Sequence, residues 1–368
     1  MKNEQVQREQ PQNQVGHADQ QAQSALEAGE FQKAIDIYEE VYKKYPEDAT
    51  VRSGYIRTLE SIRSTGDRDF ERNHFELAGN IYGILAKNWL HFSGFSPSLS
   101  FNRDSLEKKI KTSRILLGEK QALSYLAAGE FQKAIDIYEE VYKKYPEDAT
   151  VRSGYIRTLE SIRSTGDRNF ERNHFELAGN IYGILARNWL HFSGVSPSLS
   201  FSTDFLEKKI KTSRILLGEK QALSYLAAGE FQKAIDIHIE VYKKYPEDAA
   251  VRSSYIRTLE LIRSTADQAF ERSNFELAGG IYGLLLKHFS SITYFNGSYS
   301  SDRRVLAEKM KTCKKILFEN GLEKYRSGTL DQAISIWKGI LAFDPEDQEI
   351  KKTLDIAILQ SHNLEKTK

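Results

Sequence analysis

The feature that most constrains this chain is that it copies itself. The stretch AGEFQKAIDIYEEVYKKYPED at Ala128–Asp148 recurs almost letter for letter at Ala28 and again at Ala228, a period of 100 residues. From residue 28 to 119 the first and second copies differ at only six positions, namely 69, 87, 95, 102, 103 and 105. The third copy has drifted further: Leu261, Leu286 and His288 stand where the second has Ser161, Ala186 and Asn188, and Ser254 and Ala266 replace Gly154 and Gly166. A unit copied end to end cannot bury its apolar face alone, so neighbouring copies must share one core, and function is expected on a surface that the array builds.

Within the repeated stretch, Gly129 stands where a helix stops in a left-handed turn, and Glu130 with Phe131 opens the next one. Ala134, Ile135, Ile137, Tyr138, Val141, Tyr142 and Tyr145 then recur at spacings of three and four, one apolar face of a helix of about four turns. Pro146 ends that helix, and Glu147 and Asp148 are placed to cap the next. One copy thus predicts four helices, from about Asp104 to Ala128, Phe131 to Tyr145, Ala149 to Arg172 and Phe175 to Asn188. Between copies lies Trp189–Phe201, WLHFSGVSPSLSF, read as the only long irregular stretch.

Composition narrows the function classes. Lys plus Arg number 52 against 51 Asp plus Glu, and the interspersed charges argue against a nucleic-acid or membrane-surface field over the whole molecule. Cys313 is the only cysteine, so an intrachain disulfide and a cysteine metal cluster are excluded. There is no run of 18 apolar residues. Residues 1–20 are Gln-rich, have no apolar segment of the signal-peptide kind and are expected to be a disordered tail. A cytoplasmic location is expected, although a chain trimmed of an export signal would read the same.

Ala122, Tyr125, Gly129, Ala134, Tyr138, Val141 and Pro146 resemble the tetratricopeptide repeat, a helix pair of about 34 residues with this order of small, aromatic and proline positions. Ala178, Tyr182 and Leu185 look like a second such repeat, with a longer first helix and Leu190 in place of the closing proline. Tyr325, Gly328, Ala333, Ile334, Trp337, Ile340 and Pro345 resemble a seventh. The resemblance implies an all-α, right-handed superhelical solenoid of antiparallel helix pairs. Its expected parts are the tail 1–20, double-repeat units 21–119, 120–219 and 220–318, a final repeat 319–346, and a capping helix with a tail at 347–368. It also implies a non-catalytic scaffold that receives a peptide or protein segment in a concave groove lined by the first helix of each pair, without a cofactor.

With Val151, Tyr155, Leu159 and Ile162 turned inward, the opposite face of the third helix presents Ser153, Arg157, Glu160, Ser164 and Arg168. The first copy repeats the stripe as Ser53, Arg57, Glu60, Ser64 and Arg68, and the third keeps Arg257, Glu260 and Ser264 but has Gln268. These are the candidate partner-binding residues, and an ordinary solvated face would carry the same residue types. A basic edge, Lys108, Lys111 and Arg114 with Lys208, Lys211 and Arg214, would suit an acidic partner or RNA, but Glu107 and Glu119 flank it and nucleic acid is the poorer reading. Self-assembly through the same contacts that join the repeats is the structural alternative. The aromatic loops 89–103 and 189–203 are too apolar for free linkers and should dock, either over the ends of the long helices or in the groove.

Catalytic and metal readings find little support. His74 and Glu76, repeated as His174 and Glu176, are two residues apart at a helix start and face different ways. No Gly-rich phosphate loop, HExxH or GxSxG motif occurs.

Overall fold

The computed structural model describes residues 11–289 and 302–366, and among them all regular secondary structure is helical. The sixteen α-helices of these residues are α1 (Pro11–Glu27), α2 (Phe31–Lys44), α3 (Ala49–Glu71), α4 (Phe75–Lys87), α5 (Trp89–Phe92), α6 (Arg103–Ala127), α7 (Phe131–Lys144) and α8 (Ala149–Glu171), then α9 (Phe175–Arg187), α10 (Thr203–Ala227), α11 (Phe231–Lys244), α12 (Ala249–Glu271), α13 (Phe275–Lys287), α14 (Arg303–Arg326), α15 (Leu330–Phe343) and α16 (Gln348–Lys366). Of the described residues, 11–168 and 181–206 form one compact unit, and 169–180, 207–289 and 302–366 form a second. In the first unit α1 packs on α2, α2 on α3, α3 on α4, α4 on α6 and α6 on α7. In the second the same succession runs from α11 to α16. Consecutive helix-pair packing is what the sequence periodicity implies.

One turn type closes both kinds of pair. Gly29 has φ 75°, its N–H donates to the Leu26 carbonyl and that of Glu30 to the Ala25 carbonyl, a left-handed stop that glycine adopts without strain. The second pair makes the same two bonds from Asn73 (φ 60°) to Phe70 and from His74 to Asp69. Asn173 and Ser273 take this place in the later copies. Asn supports a left-handed backbone nearly as well as glycine, so the even pairs turn without the glycine that marks the odd ones. Asp48 then caps α3 by accepting from the Thr50 and Val51 amides.

Two expectations change. Residues 11–20 begin α1 instead of belonging to a disordered tail, because Val15, Ala18, Ala22 and Ala25 recur at helical spacing and are buried; residues 1–10 lie outside the described residues. The loop read as irregular folds into short helical turns, α5 and a 3-10 turn at Ser93–Ser98 in the first copy and 3-10 turns at Trp189–Phe192 and Ser196–Ser198 in the second.

In the first two copies the core centres on an aromatic pair seated on a glycine. Tyr38 of α2 stacks on Tyr55 of α3 with ring centroids 5.8 Å apart, and Tyr138 stacks on Tyr155 in the same way. A Cβ on Gly54 would lie 2.3 Å from the Tyr38 hydroxyl, and one on Gly154 would lie 2.6 Å from that of Tyr138. The third copy has changed both partners at once. His238, shorter than tyrosine, stacks on Tyr255 and bonds to Thr258 Oγ1 at 2.9 Å, and the buried Ser254, which does carry a Cβ, stands at the position of Gly54 and Gly154.

This pair carries a pH dependence. Burial, with the Arg257 charge second, lowers the His238 pKa from 6.5 to about 4, so the buried ring is neutral at pH 7. The unfolded chain binds the proton at higher pH than the folded one. His238 therefore contributes its full stability above about pH 6.5 and loses it progressively as pH falls toward 4, at most about 3 kcal/mol. His238→Tyr with Ser254→Gly should remove this part of the acid sensitivity, read from urea melts at pH 5 and pH 7. His238→Tyr with Ser254 retained should overpack and cost about 1–3 kcal/mol at both. A double variant as acid-sensitive as the parent would discard the assignment.

Candidate binding surface

Arg57, Arg157 and Arg257 of the sequence stripe are exposed, and each is held by an acid from the first helix of the preceding pair. Arg57 of α3 donates to Asp19 of α1 at 2.8 Å, Arg157 of α8 to Glu119 of α6 at 2.9 Å, and Arg257 of α12 to Glu219 of α10 at 2.8 Å. The arginine side chains keep 67%, 68% and 66% of their surface in water. Their acids are more covered, Asp19 keeping 40% of its side-chain surface, Glu119 26% and Glu219 27%, and Asp19 also accepts from the Tyr38 hydroxyl. Ser53, Ser64 and Arg68 are exposed beside Arg57, and Arg68 reaches Thr65 Oγ1 on its own helix. Ser153 and Arg168 are likewise exposed, whereas Ser164 and Ser264 are half-buried.

The glutamates of the stripe are already engaged. Glu60 accepts from the Ser100 amide at 2.5 Å and the Ser100 hydroxyl at 2.6 Å, as well as from Arg63 at 2.9 Å. Glu160 repeats this with Ser200 at 2.5 and 2.7 Å and Arg163 at 3.0 Å, and Glu260 pairs with Arg263 at 3.0 Å. Burial works to raise the Glu60 and Glu160 carboxyls, but the serine and arginine hydrogen bonds outweigh it and hold both below the usual carboxylate range. The inter-copy loop thus docks on α3 at a stripe carboxylate. Its aromatic part packs beside it, with Phe95 edge-on to Tyr42 at 4.9 Å and to Tyr55 at 5.4 Å, and with Phe92, Phe95 and Phe101 buried.

Sequence reasoning missed the acids that close the arginine pairs and the carboxylate that ties three helices together. Asp19, Glu119 and Glu219 each precede their arginine by 38 residues, a spacing that repeats with the copies and was the available signal. Asp67 accepts from the Tyr82 hydroxyl at 2.6 Å and is paired with Arg63 and Lys109, joining α3, α4 and α6. Asp267 does the same with Tyr282 at 2.6 Å, Lys309 at 2.6 Å and Arg263 at 3.0 Å. The basic edge is partly consumed by structure, since Lys111 pairs with Asp148 at 2.7 Å and Lys211 with Asp248 at 2.6 Å.

His74 precedes α4, with Nδ1 3.2 Å from Asp69, and lines a recess of about 440 Å³ with Glu76, Leu77, Leu117, Lys120 and Gln121. The second copy repeats that recess at about 430 Å³. Among the described residues there is no group of three His, Cys, Asp or Glu side chains that could hold a metal ion, and no helix is long and apolar enough to cross a membrane.

Residues 19–48 and 119–148 match the family model of the tetratricopeptide repeat. No curated protein sequence matches the chain. Among solved structures, it is similar to a circular tandem repeat protein with novel repeat topology and enhanced subunit contact surfaces, at 14% identity over 96% of this chain and 90% of that one, with a TM-score of 0.19. It is similar to the tetratricopeptide domain of P58(IPK), at 12% identity over 94% and 99%, with a TM-score of 0.17. It is also similar to human IFIT1, solved as a dimer with m7Gppp-AAAA, at 15% identity over 96% and 72%, with a TM-score of 0.17. Scores this low make none of the three a geometric template.

Proposed function

We propose that this chain, in which residues 19–48 and 119–148 match the tetratricopeptide repeat, is a non-catalytic scaffold that holds a peptide or protein segment along the first helices of its pairs. The observation that carries the reading is the arginine series, in which Arg57, Arg157 and Arg257 recur at the period of the copies, each exposed and paired with an acid of the preceding helix pair. A partner with acidic groups spaced to meet successive arginines would exchange with Asp19 and Glu119 in the first unit. The serines at Ser53 and Ser153 leave room for its backbone. Glu60 and Glu160 hold the docked loop in place and so shape the edge of the stripe. The near-neutral charge of the chain and the internal pairing of Lys111 and Lys211 favour a protein partner over RNA.

The test is titration of a partner co-purified from the native host against wild type, Arg57→Ala, Arg157→Ala and the double variant. Each single change should weaken binding by about 1 kcal/mol or less and the double by about ten-fold. Helical circular dichroism should not change. Unaltered affinity in a folded double variant would remove the stripe as the binding surface. Sedimentation that shifted in place of partner affinity would point to self-association.

A further inference from the structure

A wide recess lies away from the stripe, on the second helices of the last pairs. Its volume is about 920 Å³, and it runs between α13 and α15 and past the start of α11. Phe231, Leu277, Ile281, Leu284, Phe343 and Pro345 make its apolar lining. Gly280 leaves part of the wall as bare backbone, whereas Gly283 is packed against Phe343 and Gly339 lies under the Glu276 carboxylate. The substitutions that open it are visible when α15 is aligned with α7 on Pro345 and Pro146. Gly339, Ala342 and Phe343 then stand where α7 has Glu140, Lys143 and Lys144, and Gly280 replaces Asn80. Charge and side-chain bulk have been removed from one end of the array.

What remains charged sits at the two ends of the recess with opposite sign. Glu276 is in the first turn of α13 and Lys287 in its last, eleven residues apart, and both are exposed. That spacing is about 16 Å, or three helical turns. We propose that the recess is a docking groove for one amphipathic helix of a partner protein, lying antiparallel to α13, with an acidic residue facing Lys287 and a basic residue facing Glu276. In that orientation the acid falls in the first turn of the partner helix and the base in its last. The helix macrodipole favours both placements, so charge pattern and dipole select the same direction. A parallel helix would need its charges at the unfavourable ends. The groove uses no stripe residue, and the proposal stands apart from the peptide-binding reading.

The probe is a fluorescein-labelled 15-residue synthetic peptide with leucines at i, i+4, i+7 and i+11, glutamate in its first turn and lysine in its last. A second peptide has the two charges exchanged. By fluorescence polarisation with the full chain, the first peptide should bind about ten-fold more tightly than the second. Glu276→Lys with Lys287→Glu, two exposed changes, should invert that preference. Gly280→Asn with Ala342→Lys, which restores residues of the other copies, the first at a position where a Cβ meets nothing within 4 Å, should weaken both peptides by at least about ten-fold. Equal binding of the two peptides, a preference that the charge swap leaves unchanged, no binding, or binding of a fluorescent fatty acid in place of the peptide would each overturn the proposal. Should the groove-filling variant lose its helical circular dichroism signal, the charge-swap variant decides alone.

Discussion

Trp337→Ala should lower the stability of the C-terminal pairs by about 3–5 kcal/mol, the range for removing a fully buried large aromatic. Trp337 takes the place in α15 that Tyr38 and Tyr138 take in α2 and α7, and like them it is seated on a glycine. A Cβ on Gly321 would lie 2.2 Å from the indole nitrogen. Phe318 and Tyr325 flank the ring at 6.2 and 5.9 Å, and Ile340, Ile350 and Leu354 complete its cluster. Because the buried indole N–H has no hydrogen-bond partner, Trp337→Phe gives up volume but also an unsatisfied donor, and should cost clearly less than the alanine change. Urea denaturation followed by circular dichroism separates the two. Similar losses for Phe and Ala would mean that the site is indifferent to an aromatic ring.

Ending the chain after Glu346 should be about as damaging. The removed segment contains α16, whose Ile350, Leu354 and Ala357 are buried against the last pair, while Ile356 and Leu359 face outward. At about 1.5–3 kcal/mol for each large side chain buried, losing Ile350 and Leu354 costs about 3–6 kcal/mol. The same cut removes Asp347, which pairs with Lys314 at 2.7 Å and caps α16 through the Glu349 and Ile350 amides. The uncovered face of α15 is apolar, so the shortened protein should melt lower and associate as its concentration rises, measured by thermal denaturation and light scattering. A monodisperse product with an unchanged melting temperature would show that α16 is not a cap.

The helices, their order and their apolar faces were legible because they follow local rules: a period of 3.6 residues, a proline stop and a glycine turn. The turns of the even pairs were harder to read, since Asn73 and Ser273 adopt the left-handed conformation without advertising it as Gly29 does. The inter-copy loop was legible as apolar and docking. Its short helical turns were not, because Ser93–Ser98 has no periodicity long enough to register. At the candidate surface the arginines could be named but their state could not. Whether Arg57 is free or paired depends on Asp19, on a different helix and 38 residues away. Glu60 was read as part of an open stripe, yet two of its partners are the Ser100 amide and hydroxyl in the loop. The groove beside α13 was invisible for a related reason. Gly339 reads as a mild helix blemish until its position is set against Glu140 and the neighbouring helix is in place.

The claim that the first-helix stripe receives the partner is tested most directly by site-specific photo-crosslinking in the full chain. One probe replaces Ser153, exposed on α8 one turn from Arg157, and a control replaces Lys133, exposed on the second helix α7. The account predicts that the co-purified partner is captured from position 153 and not from position 133, and that adding Arg57→Ala with Arg157→Ala reduces the capture. Capture from position 133 with none from position 153 would contradict it.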